Sequence, residues 1–374
     1  MPGLFDMLQI GGELLGGFAE AADIHKTLKE YPNDAPVFNN LLLLFNSKGL
    51  ETIKVPEKLT LVSRKQLRGL TFKDFGCIAN INSGTGVSLL FTPMEKLDRS
   101  RGSQAFELGS KINSMLQVGC IEVRPIDIND ELYWSFVYKI QMRYGENLRP
   151  GKALLENMLE NGLDSMNYLP HGIQVLQKGS SVDEALQNMG GKSVLPKKPS
   201  SEQRASLLGA VSRFLTNKDI DFVELDESKG FTWIDKATSL TCSILVSQFS
   251  RVTFETLASV KIPSKFHLQV LLYNQFVNLE LTDMGCMCFS TETGIVSYKT
   301  GVDVRGIEDN VEDRLLSIAY EENRDQVAKY FPGLGYISSG SSYSDALKKS
   351  IQSQFNTPEY QEFADAIVEF LNLK

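Results

Sequence analysis

The sequence predicts an α+β fold: a tandem repeat of two domains, each an antiparallel sheet covered by helices, with an extra helix at either end of the chain. Three observations lead to this prediction. Short sequence blocks recur at nearly constant spacing, a stretch of linker composition separates them, and both halves show the same order of helical and strand-like patterns. Strands in which every second residue is apolar form sheets with one buried face, which helices then cover.

The recurring blocks indicate a diverged tandem duplication, because colinear matches at nearly one spacing are hard to obtain by chance. All of them are separated by 161 or 162 positions. From this spacing we expect the region around Asn113 to superpose on the region around Asn274. The matched blocks are 179–186 with 340–347, Tyr168-Leu169-Pro170 with Tyr330-Phe331-Pro332, Leu154-Leu155 with Leu315-Leu316, and Asn113 with Asn274.

The middle of the chain has the composition of a linker, since it combines glycine, proline and a lysine pair with few apolar residues. It separates two halves of nearly equal length. The predicted segments are an N-terminal amphipathic helix at 1–35, a first repeat at 36–187, a linker at 188–204, a second repeat at 205–350 and a C-terminal helix at 351–374.

Periodicity places the elements of each repeat. In the second repeat, the last long helix is predicted to begin at Asp309, to run to Lys329 and to end before Pro332. The other predicted elements there are a helix at 201–215, strands at 220–225, 231–235, 241–246 and 252–260, a helix from Pro263, and strands at 279–289 and 295–304. Those of the first repeat are a helix over 41–45, strands near 52–62, 77–81 and 87–92, a helix at 104–116, strands at 120–126 and 133–144, and a helix at 150–166.

The second repeat resembles the YbjN-like group, which shares its fold with type III secretion chaperones. This resemblance implies a non-catalytic module that binds proteins or regulates, often as a dimer, and it supplies no catalytic residue. Because members of the group pair, the two copies are expected to form an intramolecular pseudo-dimer, with a homo-oligomer as the other possibility. The resemblance covers about 205–350 and rests on Ile262-Pro263, Leu271-Leu272-Tyr273-Asn274, the hairpin around Gly294–Tyr298, Lys329–Pro332 and Asp345-Ala346-Leu347.

Composition limits the function further. The chain has 374 residues and a net charge of −8, which argues against a nucleic-acid partner because phosphate binding needs a concentrated basic face. Five cysteines without regular spacing favour a reducing compartment, and no apolar run approaches the roughly 20 residues of a transmembrane helix. We therefore expect a cytoplasmic protein with a protein partner, no transmembrane segment and no cofactor.

No set of residues predicts a catalytic or metal site. The three histidines are scattered, the Gly190-Gly191-Lys192-Ser193 segment lacks the first glycine of a phosphate-binding loop, and the acidic cluster at 308–313 is typical of a helix N-terminus. Cys286 and Cys288 share one face of a strand and are interpreted, like the other cysteines, as small buried apolar residues. An enzyme with a dispersed site is therefore the weakest of three hypotheses.

The leading hypothesis is a chaperone-like, adaptor or regulatory module whose sheet and aromatic-rich strands contact a polypeptide. The alternative is a structural subunit of a larger assembly, for which the terminal helices would be docking arms. The apolar stripes of these helices must pack on the body of the protein, on a partner or, for the N-terminal helix, on a membrane surface. The candidate partner-binding residues on these stripes are Leu4, Leu8, Leu15, Phe18, Phe363, Ile367 and Phe370.

Overall fold

A computed structural model gives the fold of this chain. It describes residues 34–55, 60–66, 74–82, 86–128, 131–143, 150–189, 201–226, 229–247, 250–278, 284–307 and 309–351. The residues from 34 to 189 are called unit 1, and those from 201 to 351 are called unit 2. The predicted terminal helices, with all seven candidate partner-binding residues, lie outside the described part of the chain.

Unit 1 contains a helix, five strands, a helix, two long strands and two further helices. Its sheet, here called sheet 1, has the strand order β1-β2-β3-β4-β7, and β7 also pairs with β5 and β6. Every pairing is antiparallel. Its elements are α1 (Ala35–Ser47), β1 (Glu51–Val55), β2 (Thr60–Gln66), β3 (Asp74–Asn82), β4 (Gly86–Pro93), β5 (Lys96–Asp98), α2 (Gly102–Met115), β6 (Cys120–Ile128), β7 (Glu131–Arg143), α3 (Lys152–Gln177) and α4 (Val182–Met189).

Unit 2 repeats this order without a counterpart of the short strand β5. Its antiparallel sheet, here called sheet 2, has the strand order β8-β9-β10-β11-β13-β12. This order matches β1-β2-β3-β4-β7-β6 of sheet 1 strand for strand. The predicted α+β class is therefore confirmed. The elements are α5 (Ser201–Asn217), β8 (Val223–Glu224), β9 (Gly230–Ile234), β10 (Thr241–Val246), β11 (Arg251–Leu257), α6 (His267–Phe276), β12 (Cys286–Ser290), β13 (Ile295–Asp303), α7 (Asp309–Ser338) and α8 (Tyr343–Ile351).

Strand register shows which residues of the two units are equivalent. Across sheet 1, Cys77 lies opposite Phe91, which lies opposite Tyr138. Across sheet 2, Cys242 lies opposite Thr256, which lies opposite Tyr298. Each tyrosine is buried and donates its hydroxyl to a backbone carbonyl just before the neighbouring hairpin strand, on Val118 and on Met284 respectively. The two sheets thus share topology, register and a buried tyrosine contact.

The predicted match between Asn113 and Asn274 is wrong by one helical turn. Asn113 binds the backbone of Ile121 on β6 through both of its side-chain atoms, at 2.6 and 2.9 Å. In unit 2 the residue with this role is Asn278, which binds the backbone of Met287 on β12 at 2.7 and 2.9 Å. The shift between the units is 165 positions here and 161 in the closing helices, because insertions differ between elements.

The closing helices α3 and α7 run past their predicted ends at Met166 and Lys329 and continue through Pro170 and Pro332. An interior proline costs a helix about 3 kcal/mol because it removes a hydrogen bond and crowds the preceding turn. The residues beyond each proline offset this cost, since burying each large aliphatic side chain contributes roughly 1.5–3 kcal/mol. Those beyond Pro170 are Ile173 and Leu176, and those beyond Pro332 are Leu334 and Ile337, all at most 1% exposed.

The structure corrects other predicted boundaries. The strand predicted at 52–62 is the hairpin β1–β2, in which Val55 pairs with Thr60, because Pro56 lacks the N–H that a strand interior needs. Of the strand predicted at 279–289, the structure describes β12 from Cys286 on, and helical backbone reaches Asn278; residues 279–283 lie outside the described part of the chain. The strand predicted at 220–225 is reduced to β8. Both ends of the predicted linker are helical, because α4 runs to Met189 and α5 starts at 201.

The short helices α4 and α8 were missed, although the repeated block carries their start signal. Ser181 and Glu184 form a capping box, with the Glu184 amide donating to Ser181 Oγ at 3.2 Å and the Ser181 amide donating to the Glu184 carboxylate at 2.9 Å. Ser342 caps α8 in the same way through the amide of Asp345 at 3.1 Å. Reading a serine followed three residues later by Glu or Asp in this block as a helix start would have predicted both.

Candidate functional site: the junction and the open shelf

The two units meet at a surface, here called the junction, where equivalent residues make reciprocal contacts. Ser110 on α2 donates its hydroxyl to the carbonyl of Phe289 on β12, at 3.0 Å. Its counterpart Gln275 on α6 accepts a hydrogen bond from the amide of Val123 on β6, at 3.2 Å. In a two-fold interface, a contact made from the first unit to the second is made again between the equivalent residues from the second unit to the first. These two hydrogen bonds have that pattern. These bonds also occupy the outer edges of β6 and β12.

Two lysines repeat the reciprocal pattern at the junction. Lys139 on β7 donates to the carbonyl of Asn278 at 3.2 Å, and Lys299 on β13 donates to the carbonyl of Ser114 at 2.5 Å. Register makes the lysines equivalent, since each lies opposite the first cysteine of the neighbouring hairpin strand. Each ammonium group thus binds the C-terminal end of a helix in the other unit, where the helix dipole favours positive charge.

Glu122 adds a carboxylate that unit 2 does not have at the equivalent position, Cys288. It is fully buried and lies 2.9 Å from Lys139 Nζ, and Arg124 binds its other oxygen. Burial raises the pKa of Glu122, but the charges of Arg124 and Lys139 lower it by more, so the pKa lies below 4.5. Removing one member of such a buried set leaves an uncompensated charge. We interpret the group as a structural element of the junction.

Three cysteines form a separate buried cluster at the junction: Cys120 from unit 1 and Cys286 and Cys288 from unit 2. The thiols of Cys286 and Cys288 lie 3.5 Å apart, and each of the three residues is at most 2% exposed. Burial is the main cause that raises the pKa of the Cys120 thiol to about 12. Protonated, buried thiols are poor nucleophiles, so these cysteines pack as small apolar residues, which confirms the prediction that they are buried.

Charged side chains also join the units beside the junction. Asp303 at the end of β13 binds Arg305 at 2.8 Å and accepts a hydrogen bond from the Asn161 amide of α3 at 3.0 Å. Arg251 bridges Asp303 and Asn161 from β11. Arg305 also reaches Glu160 on α3, at 3.4 Å. The network fixes the orientation of α3 against the second sheet.

A second surface, here called the open shelf, lies on the face of sheet 2 that meets unit 1 at the junction. It is the part of that face that unit 1 does not cover. Its outer strands show clean alternation, in which one face is buried under α5 and α7 and the other meets solvent. The apolar residues Val223 and Ile234 are 67% and 59% exposed. The residues of the open shelf are Val223, Thr232, Ile234, Thr241, Ser243, Leu245 and Leu257.

Unit 1 forms the wall at the inner side of the open shelf. The Gln117 carbonyl accepts a hydrogen bond from Thr253 at 2.9 Å, and a methyl group at Gly301 would collide with the same carbonyl. Exposure therefore falls across the face, from 67% at Val223 on the outer strand to 1% at Cys286 on β12. Met115, which is 61% exposed, stands next to this wall at the end of α2. The open shelf is continuous with the junction.

The matched face of unit 1 is less accessible where its side chains can be compared with the open shelf. Strand register matches Ser243 of the open shelf with Ile78, and Leu257 with Thr92. Ser243 and Leu257 are partly exposed, whereas Ile78 and Thr92 are each 2% exposed. At these two matched positions, faces with the same topology thus differ in access.

No convergent catalytic constellation accompanies these surfaces in the described residues. Within them, no three histidine, cysteine, aspartate or glutamate side chains are grouped so that they could hold a metal ion. His267 is half-buried, contacts the Ile262 carbonyl at 3.3 Å and stacks edge-on against Phe289. None of the helices in the described ranges combines the length and apolar character needed to cross a membrane.

Sequence reasoning assigned polypeptide contact to the sheet and its aromatic-rich strands, but it named candidate residues only on the terminal helices and did not identify the open shelf. A usable signal was present, because Phe231 and Trp233 alternate with Thr232 and Ile234 along β9. Alternation identifies the buried face, but it cannot say whether the opposite face meets solvent or another unit. Ile234 is the one aliphatic residue at a polar position of that pattern.

Comparison with known proteins adds little. No protein-family model matches this chain, and no curated protein is significantly similar to it. One solved structure, described as the HopA1-SchA chaperone-effector complex, is similar to it at 12% sequence identity. The match covers 34% of this chain and 98% of that chain, with a TM-score of 0.25. A TM-score of this size assigns neither fold nor function, and the resemblance to the YbjN-like group stays a prediction.

Proposed function

We propose that this protein is a non-enzymatic, chaperone-like module that binds a polypeptide partner on the open shelf. We further propose that its units are a tandem duplication paired as an intramolecular pseudo-dimer. The observation that carries the binding proposal is the exposure of Val223 and Ile234 on the open shelf. It is joined by the partial exposure of Ser243 and Leu257, whose matched residues in unit 1 are buried. Exposed apolar residues grouped on one face are typical of interaction sites.

The chemistry of the open shelf suits a polypeptide better than a small molecule. Aliphatic side chains alternate with the hydroxyl groups of Thr232, Thr241 and Ser243, so that apolar contact and hydrogen bonding are offered along an extended surface. Small-molecule sites are instead concave and enclose most of the ligand. The wall at Gln117 and Met115 bounds the surface on one side and gives a bound chain a direction.

The reciprocal contacts at the junction support the pseudo-dimer, because both the helix-to-edge bonds and the lysine-to-carbonyl bonds occur once in each direction. The five buried free thiols support a cytoplasmic location, where reducing conditions keep cysteines unpaired. Beside the buried junction, the open shelf offers a third chain an accessible part of the unit 2 sheet.

Site-specific photo-crosslinking tests the binding proposal. A photoreactive amino acid is placed at Val223 or Ile234 in the full chain, and at Leu43 as a control, since Leu43 is 64% exposed but lies on α1. In extract of the source organism, the shelf positions should give a polypeptide adduct of defined mass that excess unlabelled protein competes away. Equal labelling at Leu43, or no competed adduct, would contradict the proposal. Recovery of the adduct only in a large particle would favour the structural-subunit alternative.

A further inference from the structure

The outer rim of the open shelf is acidic. The stretch from 218 to 229, which leads from α5 through β8 to β9, contains five carboxylates and two lysines. Four of these carboxylates belong to exposed residues: Asp219, Asp221, Glu224 and Asp226. They lie beside Val223, the most exposed apolar residue of the shelf. The rim thus combines exposed negative charge with exposed apolar surface.

Neighbouring lysines neutralise this charge only in part. Lys218 is bonded to Glu321 of α7 at 3.1 Å, so it is engaged by the helix that packs on the other face of the sheet. Lys236 pairs with Asp221 at 2.8 Å, but both side chains are more than 70% exposed, and such pairs hold each other weakly in water. Glu255, further inside, is paired with Lys299 at the junction. With Lys229, three lysines stand against the five carboxylates of this stretch, so the rim keeps a net negative charge.

We infer that the partner segment bound on the open shelf is amphipathic and basic, with lysine or arginine beside its apolar residues. This inference rests on the proposed function and specifies its ligand. The apolar side chains of such a segment lie on Val223 and Ile234, while its cations face the exposed carboxylates of Asp221 and Asp226. Glu224 pairs with Phe231 and therefore belongs to the other face of β8. Charge at the rim of an interface mainly raises the association rate and makes binding sensitive to salt.

Three synthetic peptides of equal length test the inference by fluorescence anisotropy. They share the same valine and leucine positions and differ only at their polar positions, which are all lysine, all serine or all glutamate. With the full-length protein we expect the lysine peptide to bind about tenfold more tightly than the glutamate peptide at about 50 mM salt. The difference should shrink to about twofold near 0.5 M salt, where the Debye length falls below about 5 Å.

Paired variants separate the rim from the net charge of the protein. Asp221→Asn with Asp226→Asn should weaken binding of the lysine peptide at least threefold and leave the serine peptide unchanged. The control is Asp313→Asn with Asp325→Asn, two exposed positions on α7. This helix lies on the opposite face of the sheet, where its Asn323 side chain accepts a hydrogen bond from the Thr256 hydroxyl at 2.6 Å. It removes the same charge, so an equal loss in the control would overturn the inference.

The remaining outcomes distinguish this inference from the proposed function. If the serine peptide binds as tightly as the lysine peptide, and Ile234→Ser weakens both, the shelf binds polypeptides but the basic preference is wrong. If no peptide binds, the inference is overturned, and the crosslinking experiment then decides the proposed function independently. A loss of lysine-peptide binding in Asp221→Asn/Asp226→Asn with a normal melting temperature would support the inference.

Discussion

The two hydrogen bonds between the Asn113 side chain on α2 and the backbone of Ile121 on β6, here called the clamp, allow a direct test of which residues of the two units are equivalent. Asn113 is fully buried and binds both backbone groups of Ile121, a residue that is itself fully buried. In Asn113→Ala, two hydrogen bonds worth about 1 kcal/mol each are lost, and each orphaned backbone group adds a desolvation penalty of about 1–3 kcal/mol when water cannot reach it. Partial relaxation of the strand reduces this sum. We expect a loss of about 2–5 kcal/mol.

Asn278→Ala should cost a similar amount, because it breaks the same pair of bonds to Met287. Asn274, the residue that the repeat spacing matches with Asn113, should behave in the opposite way. It is 1% exposed, and neither atom of its side-chain amide has a hydrogen-bond partner in the described part of the chain. Replacing it with leucine removes two unsatisfied polar atoms, so Asn274→Leu should leave stability unchanged or raise it by up to about 2 kcal/mol.

Urea unfolding of the three variants beside the parent protein gives the free energies directly, provided that the slopes agree. The decisive result is the ranking: Asn113→Ala and Asn278→Ala both destabilising, Asn274→Leu not. If Asn274→Leu costs as much as Asn113→Ala, the hydrogen-bond roles assigned to the two units are wrong. If Asn278→Ala is neutral, the clamp of unit 2 contributes nothing, and the equivalence fails.

Three further predictions concern the junction. Burial raises the pKa of the Cys120 thiol from 9.0 to about 12, so the stability that the protonated thiol contributes should be lost as the pH rises above about 9. The free energy of unfolding of the parent should fall by up to about 1.4 kcal/mol per pH unit relative to Cys120→Ala. Urea unfolding at several pH values measures this difference. Gly301→Ala should lower the melting temperature and raise thiol reagent labelling, since its methyl group collides with the Gln117 carbonyl; unchanged labelling would mean the junction tolerates the methyl. Glu122→Gln should lower the free energy of unfolding by about 3–5 kcal/mol at pH 7, because Lys139 stays buried without its counter-ion. The difference in stability between the variant and the parent should narrow as the pH falls through the depressed pKa of Glu122. A difference that does not vary with pH would contradict this prediction.

Local sequence signals determined much of the fold of each unit. Alternation along β7 and β10, and three-four spacing in α1 and α5, depend on which face of an element is apolar, and this is visible residue by residue. The repeated block at 179–186 and 340–347 also encoded two helix starts, because a serine followed three residues later by an acid caps a helix locally. These features follow from chain geometry alone, so sequence suffices for them.

Tertiary structure decided what depends on distant partners. Helix propensity ends α3 at Pro170, yet buried side chains beyond the proline keep the helix intact. The one-turn shift from Asn274 to Asn278 is set by which amide reaches an edge strand, and no sequence spacing records that distance. The closed face at Ile78 and the open face at Ser243 carry the same strand order. Whether a sheet face is a core or a binding surface is decided by what packs on it, and only the assembled units show this.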